Sequence, residues 1–461
     1  MEKVPKGLMK AGAVGASATL LGGAGSALLL ALAASPAGAV STWTVDTLAD
    51  GAANASDCST PVVDSCSLRD ALAAAAVGDA ISFSPALFSG GAGTITLTDG
   101  QLVNIGVDVL GPGANLLTID AAAASRVFYL TPAPAGATIS GVTLTNGLVT
   151  DSNGGGAILA MGTLTVRESV LTGNVGGLGG GAIYAQSLFL IDSVVSDNSV
   201  EYFGGGVLGA DQITISGSTI SGNRSGFGGG GIGMVGVEEN FVSIFDSTVS
   251  GNSATYGGGF GSFSEQLTVL IANSTFTANT AVGGSAIVGY ASRLEILMST
   301  ITGNASSNAE EGFSGAVLMF APDGTPPTLD LTGSVLAGNS VGPGGIADLN
   351  LVTDGAPVTV QSSNSLIGSG VSPNITLVGN GVLRSDAPML GALANNGGPT
   401  LTMLPLVGSP LIDAGPVTIP TFPGNEFDQR GPGFPRVLGS KADIGAVEAP
   451  HSEVVTPVFT G

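Results

Sequence analysis

Two carboxylates are the first residues in this sequence whose placement suggests chemistry. Glu168 and Asp192 each stand directly before a serine, Ser169 and Ser193. A chain that coils with that spacing makes the two acids neighbours. Like charges held close raise one pKa, and a carboxyl kept protonated near neutral pH is what a general acid requires. Glycoside hydrolysis uses a carboxyl pair of this kind, and a paired column of acids is also a candidate calcium ligand. The column continues as Gly217, Asp246 and Asn273, so it lapses after two acids. Acids at strand ends also serve as turn caps.

Other signals are weaker. Asp46, Asp50, Asp57 and Asp64 flank Cys58 and Cys66 and make calcium a possible cofactor, but they lack EF-hand spacing. Gly338-Asn339-Ser340-Val341-Gly342 fits GxSxG. A nucleophile elbow also needs a strand–turn–helix setting, a histidine and an acid, and the one histidine, His451, lies in the tail. A lyase needs a base and cations to neutralise the substrate carboxylate. The repeat region holds no Lys or His, only Arg126, Arg167, Arg224 and Arg293. No HExxH, CxxC or Walker sequence is present, and no metal site is expected from the composition.

The whole chain has 461 residues with 75 Gly, 10% charged residues and a net charge of −22. Its mean hydropathy of +0.47 excludes a disordered chain, and glycines clustered in triplets exclude a collagen. Twelve cations against 34 anions exclude nucleic acid as a partner.

Lys3, Lys6 and Lys10 precede a stretch without charge from Ala11 to Val45, and Ala37-Gly38-Ala39 supplies a small-residue cleavage pattern. Residues 1–39 are therefore expected to be a signal peptide. The competing reading is an uncleaved anchor, which would bring membrane contact through that segment alone. Cleavage leaves nine cations, 33 anions and a net −24. Export makes a Cys58–Cys66 disulfide the expectation, with two free thiols the alternative.

The middle of the chain repeats. Ser-x-hydrophobic-x-x-Asn recurs with its asparagine at Asn174, Asn198, Asn223, Asn252, Asn279, Asn304 and Asn339. Before each serine runs a strand-like segment, such as Leu164-Thr165-Val166, with apolar residues five and three positions upstream. A period of two marks one buried strand face. Short strands every 25 residues or so, with no helix between them, predict a right-handed parallel β-helix. Stacked asparagines would form a ladder, each in the left-handed conformation of a tight turn.

Leu178, Phe203, Phe227 and Tyr256 precede the glycine clusters. They form either a stack inside the coil or an outer sugar platform. Phe189, Ile191, Phe245, Leu270 and Leu297 lie beside the buried face and are the candidate binding strip, apolar and outward.

Cys66-Ser67-Leu68-Arg69-Asp70-Ala71-Leu72 resembles the CSLREA motif near the start of exported bacterial β-helix proteins. The GGGAI strings and Ser274-Thr275-Phe276-Thr277-Ala278-Asn279 resemble the GGAI/FxxN repeats of polymorphic outer-membrane proteins. Asn395–Thr400, Gly408–Gly415, Asp428–Gly431 and Asp443–Glu448 resemble a choice-of-anchor Q domain. These resemblances imply an extracellular right-handed β-helix, secreted or at the cell surface. The organisation expected is a signal peptide at 1–39, a cap at 40–93, repeats at 94–380, an anchor-like segment at 381–448 and a tail at 449–461. The function expected is a non-catalytic, adhesin-like or structural role with a glycan or cell-surface ligand. The alternative is a polysaccharide-active enzyme, a hydrolase or lyase, with calcium as its candidate cofactor. A passenger of an outer-membrane barrel is not expected, since no barrel strands follow.

Overall fold

The computed structural model describes residues 40–450, apart from residues 60–63, 134–135, 151–153, 237–238, 265, 291–292, 309–312, 322–326, 343–344 and 354–355. The expected signal peptide, His451 and most of the tail lie outside the described residues.

The chain is a parallel β-solenoid. Its described strands stack into three sheets of 20, 12 and 6 strands, one on each side of the coil. Ile158, Ile183, Val207, Ile232, Phe260, Ile287, Val317 and Leu349 occupy the same register position on successive coils. All are buried, as are the residues two after each repeat serine, Leu171 through Leu336. Alternation sends every second side chain inward, so one continuous apolar core fills the rod from Val45 to Val360.

Two columns of left-handed backbone turn the chain at the corners of the second sheet. One holds Glu168, Asp192, Gly217, Asp246, Asn273, Met298 and Gly333, directly before the serines. The other holds Gly173, Asp197, Gly222, Gly251, Ala278, Gly303 and Gly338, directly before the ladder asparagines. The asparagines themselves are not the left-handed residues. The position before each one takes the turn, which frees the asparagine side chain to point into the coil.

There each Asn Nδ2 donates to the Oδ1 of the next asparagine at 2.9 Å, from Asn174 through Asn339. A second ladder runs beside it. From Ser169 to Ser334, each serine backbone N–H donates to the Oγ of the serine one coil on, ending at Ser365. Buried polar groups are tolerated only when paired. Here both polar columns satisfy themselves coil by coil.

The N-terminal end is closed by a disulfide between Cys58 and Cys66 and a helix, Leu68–Ala74. Ser67 caps the helix and Asp70 returns the capping box. Arg69 pairs with Asp50 at 2.8 Å and donates to the carbonyls of Gly100 and Gln101. These contacts give most of the Cys66–Leu72 string a packing role.

Residues 385–450 do not lengthen the rod. They fold back over the outer face of the second sheet. Gln429 accepts from Thr275 Oγ1 at 2.6 Å and donates to Thr248 Oγ1 at 2.9 Å. The backbone N–H of Ala446 donates to Thr300 Oγ1. Arg436 is fully buried and donates to Asn273 Oδ1 and to the carbonyls of Gly445 and Ala446.

Candidate functional site

Glu168 and Asp192 are both exposed, at a left-handed corner of the solenoid. Their left-handed backbone explains the column. Gly, Asn and Asp tolerate that conformation best, and these types hold most of its positions. Gly217 leaves the space that the Asp192 carboxylate occupies. Burial raises the Asp192 pKa and the Glu168 charge raises it further, against the opposing pull of Arg167. Further along, Asp246 is pushed up to about 6 by burial, while Asn273 hydrogen-bonds it at 3.0 Å. Asp246 faces Glu426 and Asp428 of the C-terminal segment, with Arg436 opposing them.

Among the described residues, no cluster of three or more His, Cys, Asp or Glu is arranged to hold a metal ion. The N-terminal aspartates are engaged within the cap. Asp46 accepts from the backbone N–H groups of Asp64 and Cys66, Asp50 binds Arg69, and Asp57 accepts from Asn54. Ser340 sits in a short strand, with its N–H donating to Asn304, and opens no helix.

The candidate apolar strip is corrected by the register. Phe189 shares a column with Thr214, Ser243, Leu270, Glu295 and Asp330. Ile191 shares the next alternate one with Ser216, Phe245, Ala272, Leu297 and Thr332. The five residues therefore lie on two interrupted columns. Phe245, Leu270 and Leu297 also pack with Phe422 and Ile419 of the C-terminal segment, and only Phe189 and Ile191 lie beyond that cover.

The continuous outward feature is aromatic. Gly179, Phe203, Gly228, Tyr256 and Gly283 form one column in which rings and glycines alternate. In this column each ring has glycine above and below it, which leaves room for the ring to tilt. A Cβ on Gly228 would lie 2.9 Å from the Phe263 ring and 3.2 Å from the Phe203 ring. Phe227 is not in this column, since its equivalents are Leu178 and Tyr202, one residue earlier in each coil.

Phe263, Tyr290 and Phe320 form a second column, each directly after a paired strand position. Gly233, Gly261, Val288 and Leu318 lie between the two columns. The rings meet across that floor. Phe203–Phe263 centroids are 5.8 Å apart, Tyr256–Phe263 6.3 Å, Phe263–Tyr290 5.6 Å and Tyr290–Phe320 5.2 Å. Phe227 and Phe313 extend the set at its margins. All seven rings are half-buried, so the file lies on the outside of the coil and not within it.

A shallow groove of about 340 Å³ runs alongside on the third sheet, lined by Ala254, Thr280, Val282, Ala305 and Ser307. The strands Ser253–Tyr256 and Thr280–Gly283 carry the chain from groove to aromatic column. Sequence reading found Phe203 and Tyr256 but missed Phe263, Tyr290 and Phe320. Those three recur at one coil length, which is the signal that would have found them.

No protein-family model matches the chain, and no curated protein matches it. Among solved structures it is similar to the crystal structure of pectate lyase Pel9A, at 16% identity and a TM-score of 0.41. The match covers 89% of this chain and 98% of that one. A likeness of that degree bears on neither activity nor substrate.

Proposed function

We propose that this chain is an exported, non-catalytic β-solenoid that binds glycans along its aromatic strip. One observation carries the reading. Half-buried rings line the outside of successive coils, and no charged side chain belongs to either ring column or to the floor between them. Aromatic faces suit the apolar CH faces of sugar rings, and these half-buried rings, packed over a floor in which Val288 and Leu318 are fully buried, are the apolar surface offered on this side of the coils. Export rests on the N-terminal pattern of residues 1–39 and on the resemblances to exported bacterial β-helix proteins. Retardation of the full chain in gels containing a panel of polysaccharides tests the reading. Migration unaffected by every polymer would sink it.

The second reading, a polysaccharide-active enzyme, is favoured by the raised pKa of Asp192 beside Glu168. Its test is release of reducing ends or unsaturated products from the same panel, with and without calcium. Turnover abolished by Glu168→Gln or Asp192→Asn would replace the binding reading.

A further inference from the structure

We infer that the ligand of the aromatic strip is an uncharged, extended polysaccharide lying along the rod axis across several coils. The inference rests on the glycan-binding reading above and specifies its ligand. Direction comes from the columns. Five successive coils contribute to the strip, from that of Phe203 to that of Phe313 and Phe320. At the ordinary strand spacing of about 4.8 Å this is roughly 20 Å of near-continuous aromatic surface along the axis. The planes of Phe203, Phe227 and Tyr256 lie 67–83° from those of several neighbours, so ring faces and edges alternate along the strip. The groove of Thr280, Val282 and Ser307 follows the same direction on the adjoining sheet and supplies hydroxyls. Tyr256 and Tyr290 bring two more. A ligand whose own units repeat can engage this repeating surface many times, and affinity then grows with the number of units engaged.

Charge selects the class. The chain carries −22 overall, and neither ring column holds a cation. A polyuronate would meet repulsion along most of this surface, with Arg224, exposed in the third-sheet column of Ser253, Thr280 and Ala305, as a cation at one end. Uncharged sugars lose nothing to that field and gain the apolar contact.

The test uses the full chain in affinity gels containing neutral β-linked glucan, xylan or mannan, or polygalacturonate. Calorimetry then follows with oligosaccharides of the retarding polymer, from disaccharide to octasaccharide. The expected result is retardation by a neutral polymer, affinity that rises at least tenfold over the series, and little dependence on salt. Phe263→Ala, at the centre of the strip, should weaken the longest oligosaccharide about tenfold. Phe263→Leu, which keeps an apolar side chain, controls for folding through its thermal melt and should also bind more weakly. Retardation by polygalacturonate alone, or affinity flat beyond the disaccharide, overturns the inference and leaves the glycan reading standing. No retardation in any gel overturns both.

Discussion

Asn339 Nδ2 donates to Asp348 Oδ1 at 3.0 Å, so the last rung of the asparagine ladder is a carboxylate. Asp348 is 1% exposed. Burial pushes its pKa from 3.8 up to about 6, and Asp386 adds to the rise against the hydrogen bonds from Asn339 and Gly370. The folded chain therefore binds this proton more tightly than the unfolded chain does. Stability from this site is full below about pH 4 and is lost as pH rises from 3.8 through about 6. Asp348→Asn keeps the acceptor and removes the ionisation. It should raise the melting temperature above pH 6 and leave it nearly unchanged at pH 4. Equal effects at both pH values would contradict the linkage.

Within the ladder, Asn252 accepts from the backbone and side chain of Asn223 and donates to Asn279 and to the Ile220 carbonyl. Asn252→Ala orphans several buried groups at once, at about 1–3 kcal/mol each. Urea unfolding should show a loss of about 3 kcal/mol or more. Ser247→Ala removes the Oγ that accepts from the Ser218 N–H and donates to the Phe245 carbonyl, and about 1–2 kcal/mol is expected.

Glu168 raises the pKa of Asp192, second to burial. Glu168→Gln should lower that pKa while burial keeps it above the ordinary carboxylate value. Carboxyl NMR titration of Asp192 reads this directly. An unchanged midpoint would show that the two acids do not sense each other, and the enzyme reading would lose its physical basis.

Arg436 lies among Asp428, Asp443 and Glu448 and also holds Asn273 on the rod. Removing it leaves Asn273 Oδ1 and the carbonyls of Gly445 and Ala446 without their donor, at about 1–3 kcal/mol for each buried group. Arg436→Ala should make residues 385–450 sensitive to limited proteolysis while the far-ultraviolet spectrum of the rod persists. Resistance equal to that of the unaltered chain would mean that the threonine contacts of Gln429 suffice.

The solenoid was legible because its alternation survives in every coil, from Leu164-Thr165-Val166 to Leu294-Glu295-Ile296. Stacking turns such repetition into register without further information. The asparagine ladder followed from the same spacing, but its turn was misplaced by one residue. Sequence shows that Gly173 and Asn174 make a corner, not which of them bends. The serines marked the repeat, while their ladder was hidden because a hydroxyl finds partners in many settings. Phe245, Leu270 and Leu297 read as an open strip because nothing in their own coils announces Phe422, more than a hundred residues away. The aromatic columns were half-seen for a related reason. Phe203 and Tyr256 border conspicuous glycines, whereas Phe263, Tyr290 and Phe320 follow strands that differ from coil to coil.

Coils that touch only their neighbours can melt one at a time from an open end, as in other repeat arrays. The return of the C-terminal segment changes that. Gln429 donates to the carbonyl of Ser247, 182 residues away, and Arg436 reaches Asn273, 163 residues away. The terminal residues thus bridge the middle of the rod, so the coils between cannot loosen without also breaking a long-range closure. Unfolding of that half should be all-or-none, and folding there should finish only when the last segment of the chain has arrived.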